Sequence, residues 1–137
     1  MTQDIEALPA RARIHSLADA RVERLSRFFE RYHCPAPHYV QDYLLAADRY
    51  QLDYRLLPAI SVRETTCGLT QWRNNYWGYD PGRQPFQTVK QGIEFVARQL
   101  GEGTPYRGKD LDHKLFTYNP RIAYPREVKS IMLQIDH

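Results

Sequence analysis

The chain has 137 residues, 42% hydrophobic and 26% charged, with a formal charge of +3. A chain of this size builds one core, and no apolar run approaches the ~20 residues that cross a bilayer. Its Lys and Arg residues are dispersed, so it lacks the concentrated basic face of a nucleic-acid binder.

Residues 1–12 read as a tail or linker, and 13–137 as a single domain. Ile14, Leu17, Ala18, Leu25, Phe28, Phe29 and Tyr32 recur at helical spacings and predict a first helix. Val40, Tyr43, Leu44 and Ala47 form a second stripe. Asp53 offers an N-cap, and Pro58 sits early enough for the first turn of a third helix ending near Thr65. Cys34 and Cys67 match no zinc or redox motif and stand open between one disulfide and two buried thiols. From Gly68 to Gln87 the chain is rich in Asn, Gly, Pro and aromatics, which predicts a long ordered loop of the kind that often carries function.

Thr88 and Gln91 have capping-box spacing and open the next helix, with Val89, Ile93, Val96, Ala97 and Leu100 inward and Gly101 as its stop. Asp110 can cap a short helix carrying Leu111, Leu115 and Tyr118. Tyr124, Val128, Ile131, Met132 and Ile135 stripe the last one. No segment sustains strand alternation. The expected fold is all-α, about six helices with a long aromatic and Asn-rich loop and no substantial β-lobe.

"PAISVRETTCGL" places one acid, Glu64, in an otherwise apolar helix. Glu64 shares a face with Leu57 and Ile60, and Leu56, Ala59 and Val62 make the helix apolar nearly all round. Desolvation and the negative end of the helix dipole both disfavour an ionised carboxylate there, which suits a general acid. The competing reading is a structural ion pair with Arg63, Arg73 or Arg98. The balance shifts with "QWRNNYWGYDPG", which gathers Trp72, Asn74, Asn75, Tyr76, Trp77 and Tyr79. Aromatic faces stack on the apolar faces of sugar rings, and amides bond hydroxyl and N-acetyl groups. "FTYNPRIAYPREV" adds Tyr118, Asn119 and Tyr124 to the candidate groove.

Four ordered blocks, "AADRYQLDYRLLPAISVRETTCG", "NNYWGYDPG", "FQTVKQGIEFVARQL" and "YNPRIAYPREVKSIM", resemble the lysozyme-like superfamily of glucosaminidases and lytic transglycosylases. The closest likeness is to the bacteriophage-type endo-β-N-acetylglucosaminidase class, across roughly residues 31–133. The resemblance implies a mostly helical lysozyme-like fold that cleaves peptidoglycan strands without cofactor or metal. It implies Glu64 as the catalytic acid, Tyr118 beside it, and Asn75 and Gly78 in a substrate-side loop. Where the family has Glu-Ser, this chain has Glu64-Thr65, which keeps a hydroxyl.

The family's second acid sits in a β-lobe, for which there is little room between Glu64 and "NNYWGYD". Asp80 is the only acid between Glu64 and Glu94; it is either a second acid or, the preferred reading, a turn residue before Pro81-Gly82. Sparse acids favour a single-acid mechanism over a two-carboxylate one, which needs the pair at ~5–5.5 or ~6.5–9.5 Å. The other function classes are a catalytically weak or inactive module that binds glycan or a partner, and a purely structural domain. A peptidoglycan substrate would place a monomer in the periplasm or outside the cell. Because the N-terminus lacks a signal-like apolar core, that location implies a removed leader, a longer parent chain or another export route. A Cys34–Cys67 disulfide would fit such a compartment.

Overall fold

A computed structural model describes residues 19–136. The tail 1–12 and the start of the first stripe, Ile14, Leu17 and Ala18, lie outside the described residues. Six helices follow: α1 (Ala20–Arg31), α2 (Val40–Arg49), α3 (Leu56–Thr65), α4 (Val89–Glu102), α5 (Leu111–Tyr118) and α6 (Tyr124–Ile135). Among the described residues there is no strand, only an isolated bridge between Trp72 and Asn75, so the fold is all-α. No described helix is long and apolar enough to cross a membrane.

Side-chain caps start three of these six helices. Asp19 accepts the Arg21 N–H at 2.9 Å, Thr88 the Gln91 N–H at 3.1 Å, and Asp110 the His113 N–H at 2.9 Å. Each side chain satisfies a donor that the helix itself leaves open. Asp53 behaves differently from its expected role. It accepts the Arg55 N–H at 3.0 Å, but α3 begins only at Leu56, because residues 53–55 form a tight turn ahead of it. Gly101 does not stop α4, which runs on to Glu102. Its Cα faces Tyr50, where an added Cβ would lie 2.9 Å from the carbonyl oxygen, so the glycine serves helix approach rather than termination.

α3 is the centre of the molecule. Leu56, Leu57, Pro58, Ala59, Ile60 and Ser61 are all buried, as an all-round apolar pattern requires. It packs chiefly on α6 and also on α4, while α2 lies on α4, α1 on α2 and α6, and α5 on α6. Leu25 and Phe28 from α1, Leu44 from α2, Ile93 and Val96 from α4, and Val128 and Ile135 from α6 complete one core. Each such side chain contributes about 1.5–3 kcal/mol when fully buried. Cys34 and Cys67 are disulfide-bonded, with Cα atoms 5.6 Å apart. The bond ties the α1–α2 connection to the turn that follows α3, so the α3 terminus is fixed covalently as well as by packing.

Candidate active site

Glu64 lies in the last turn of α3, half-buried. The helix ends because Thr66, Cys67 and Gly68 all take positive φ, at 51°, 50° and 96°. The Thr66 and Cys67 N–H groups close back onto the Val62 and Ser61 carbonyls, which caps α3. Thr65 holds this reversal. Its hydroxyl donates to the Tyr76 carbonyl at 2.6 Å and accepts the Gly68 N–H at 2.9 Å. Thr65 is therefore a buried brace between helix and loop, with its hydroxyl turned to backbone.

The loop of residues 66–87 has no ladder, so turn hydrogen bonds together with side-chain amides satisfy its backbone. Asn74 donates from Nδ2 to the Phe86 and Gln87 carbonyls at 3.0 and 3.2 Å. Asn75 accepts the Tyr79 N–H at 3.1 Å and donates to the Tyr79 carbonyl at 3.0 Å. Trp77 is 0% exposed and lies against Tyr43, Tyr76 and Phe86. The sequence reading placed Asn74, Asn75 and Trp77 on a substrate groove. Here they build the loop and anchor it to the core, because a loop without strands needs an apolar anchor and internal acceptors. Trp72, by contrast, is 51% exposed, with the Arg73 guanidinium 5.0 Å from its ring centre.

This folding delivers Gly78 to the acid. Gly78 has φ 60°, and a Cβ there would lie 2.7 Å from Glu64 Oε1 and 3.3 Å from Glu64 Cβ. Only a residue without a side chain leaves the carboxyl group in place. On the other side, the Tyr124 hydroxyl donates to Glu64 Oε2 at 2.9 Å. Tyr124 is itself 0% exposed and its ring stacks on that of Tyr118, centres 6.3 Å apart and planes 9° off parallel. The Tyr118 hydroxyl donates to the Trp77 carbonyl. Tyr118 thus fastens the loop, and Tyr124 touches the acid.

Burial first, and the neighbouring Glu64 charge with it, push the Tyr118 and Tyr124 phenols well above their ordinary value. Both remain neutral donors. The ion-pair reading of Glu64 is not realised among the described residues. Arg63 pairs with Glu127 at 2.6 Å, and Arg73 covers Trp72. Glu64 faces an open cleft of about 460 Å³. Gly78, Tyr79, Asp80, Tyr106, Tyr118 and Asn119 supply most of the remaining wall.

Among the expected site residues, Glu64, Gly78, Tyr79, Asp80, Tyr118 and Asn119 meet at this cleft. Thr65, Asn74, Asn75 and Trp77 support it from behind, and Tyr124 reaches it through the acid. Sequence reasoning missed Tyr106 and Thr117. Tyr106, in the turn after α4, is almost buried against Tyr118. A tyrosine inside "GTPYRGKD" was the available signal, since an aromatic in a polar Gly/Pro turn needs a surface to cover.

The chain matches no family model, no curated protein and no solved structure. The site's chemistry therefore rests on its own geometry. A half-buried carboxyl, in no ion pair among the described residues, sits on an aromatic cleft with one oxygen held by a neutral phenol. Such a group can give a proton to a bound oxygen and take one back.

Proposed function

We propose that the protein is a peptidoglycan-cleaving glycosidase, acting on β-1,4 bonds of N-acetylglucosamine/N-acetylmuramic acid strands with Glu64 as general acid. The observation that carries this reading is the setting of Glu64. Its Oε2 is held by Tyr124, its Oε1 is left room by Gly78, and the remaining side opens to a cleft walled by Tyr79, Tyr106 and Tyr118. Tyrosine faces suit sugar rings, and Asn119 offers an amide at the same wall.

The reaction needs one proton and one internal nucleophile. Glu64 gives its proton to the glycosidic oxygen as the C1–O bond breaks. The C6 hydroxyl of the same sugar, or its N-acetyl oxygen, then bonds to C1. In the first case Glu64 takes the hydroxyl proton and an anhydro sugar leaves. In the second, Glu64 takes a proton from the water that opens the cyclic intermediate, leaving a reducing end. Asp80 lines the cleft, but its place in a reversing turn favours a role other than second acid. The Cys34–Cys67 disulfide supports an oxidising compartment, outside the bacterial inner membrane, where peptidoglycan lies.

The test is digestion of purified peptidoglycan followed by mass spectrometry of the soluble products. Wild type is expected to release muropeptides, and Glu64→Gln to release none while keeping its helical circular dichroism. Anhydro ends would mark a transglycosylase, and reducing ends a hydrolase. Full activity in Glu64→Gln would sink the assignment. Binding of wild type to sacculi without any product would make the domain a glycan-binding module instead.

A further inference from the structure

The cleft has a charge character opposite to that of the chain. The protein carries +3 overall, yet no Lys, Arg or His lines the cleft among the described residues. Its ionisable wall is Glu64, Asp80 and tyrosines. Glu64 is engaged by Tyr124. The Asp80 carboxylate makes no hydrogen bond or ion pair among the described residues. Six acids elsewhere, Asp19, Asp48, Asp53, Glu94, Glu127 and Asp136, are each paired with an arginine; Asp80 is the acid without such a partner that lines the cleft beside Glu64.

Asp80 is nonetheless held in place. Its φ is 59°, the Gly82 N–H donates to the Gly78 and Tyr79 carbonyls, and the Arg83 N–H donates to the Asp80 carbonyl. The loop thus fixes the backbone of a rim residue whose exposed carboxylate has no cation partner among the described residues, two residues from the glycine that abuts Glu64. Without a lining cation to cancel it, this charge acts on whatever enters the cleft.

We propose that the cleft selects hexosamine strands carrying a free 2-ammonium group, with Asp80 as the residue that sets this specificity. The inference rests on reading the cleft as a glycan site. An N-acetyl group is neutral and gains only hydrogen bonds there. A de-N-acetylated glucosamine carries one positive charge and adds a Coulomb attraction to Asp80. In a half-open, wet cleft, that attraction corresponds to roughly fivefold in affinity at low salt.

The experiment measures calorimetric binding of chitin oligosaccharides and of partially de-N-acetylated ones of equal length to Glu64→Gln, which binds without cutting. The expected result is about fivefold tighter binding of the de-N-acetylated strand at low salt, with the advantage shrinking as salt screens the pair. In the double variant Glu64→Gln/Asp80→Asn the preference should disappear. Asn tolerates the left-handed φ at this position, so the turn survives the change. Equal binding of both strands by Glu64→Gln, or a preference that survives Asp80→Asn, overturns the charge selection alone. Binding of neither strand overturns the glycan reading beneath it. An acetylated strand bearing lysine-type stem peptides that bound tighter than the de-N-acetylated one would move the ammonium from sugar to peptide, and overturn the sugar assignment.

Discussion

Glu64 stands between two regions that hold it by different means. On one side α3 packs against α6, where both helices bury apolar side chains in one core, with the Arg63–Glu127 ion pair beside it. On the other, residues 66–87 hold their shape through named polar bonds, from Thr65 to Tyr76, Asn74 to Phe86 and Asn75 to Tyr79, and through residues at positive φ. Apolar packing responds to substitution in graded steps set by volume. A loop built on single bonds and single backbone angles responds at one position and little at the next. The site draws on both, since α6 supplies Tyr124 and the loop supplies Gly78 and Asp80.

Gly78→Ala gives the sharpest test of that contrast. The added methyl meets Glu64 Oε1 at 2.7 Å, and the residue's φ of 60° is unfavourable for alanine. The strain costs about 1–2 kcal/mol of stability. The Glu64 side chain can swing aside to relieve the clash, which misplaces the acid. Glycan cleavage is therefore expected to fall by about a hundredfold or more, far beyond the stability change. Peptidoglycan digestion and denaturant unfolding on the same samples decide it. A variant that unfolds readily but, where folded, cuts normally would place Gly78 with the packing side.

Removing the Cys34–Cys67 link by the double change to serine releases the loop side from the α1–α2 connection. It closes a loop of sequence separation 33, worth about 3–4 kcal/mol on the chain-entropy model. The expected result is a urea midpoint lowered accordingly, with the earliest loss of amide-exchange protection in residues 66–70 rather than in α4 or α6. Uniform loss across all helices would mean that the loop is as cooperative as the packed side, and would erase the distinction.

The difference between the two regions also explains what could be read from the sequence. The stripes of Leu25 with Phe28 and of Val128 with Met132 and Ile135 gave the packed helices, because periodicity reports burial directly. Thr88 and Asp110 marked true starts, because capping is local. Trp77 was illegible in its role. An aromatic among asparagines reads as a groove wall until the loop folds back and presses it onto Tyr43 and Phe86. The Tyr124–Glu64 bond joins positions 60 residues apart, and no local pattern encodes such a meeting. The apolar setting of Glu64 pointed to the acid, but the phenol that holds it came only from the packing of α6 on α3.

The smallest expected effect tests whether frame and site can be separated. Glu127, in the first turn of α6, bonds to Arg63 at 2.6 Å and to Arg121 at 3.1 Å. The Arg63 hydrogen bond, more than any other influence, holds its carboxyl below the usual value of 4.5. A carboxyl whose folded value is lowered contributes stability that is fully present above its unfolded value. That contribution fades as pH falls through the lowered one. Urea midpoints from about pH 6 down to about pH 3 should therefore drop less steeply for Glu127→Gln than for wild type, with the two curves converging at the acid end. The guanidinium of Arg63 also lies 5.8 Å from the Tyr124 ring centre. Yet Tyr124 is fully buried and stacked on Tyr118, so it keeps its place when Arg63 loosens. Cleavage near neutral pH should then be unchanged in Glu127→Gln. A parallel fall in cleavage would show that the ion pair reaches Glu64 through Tyr124, and that the packed side of the molecule tunes the acid as well as carrying it.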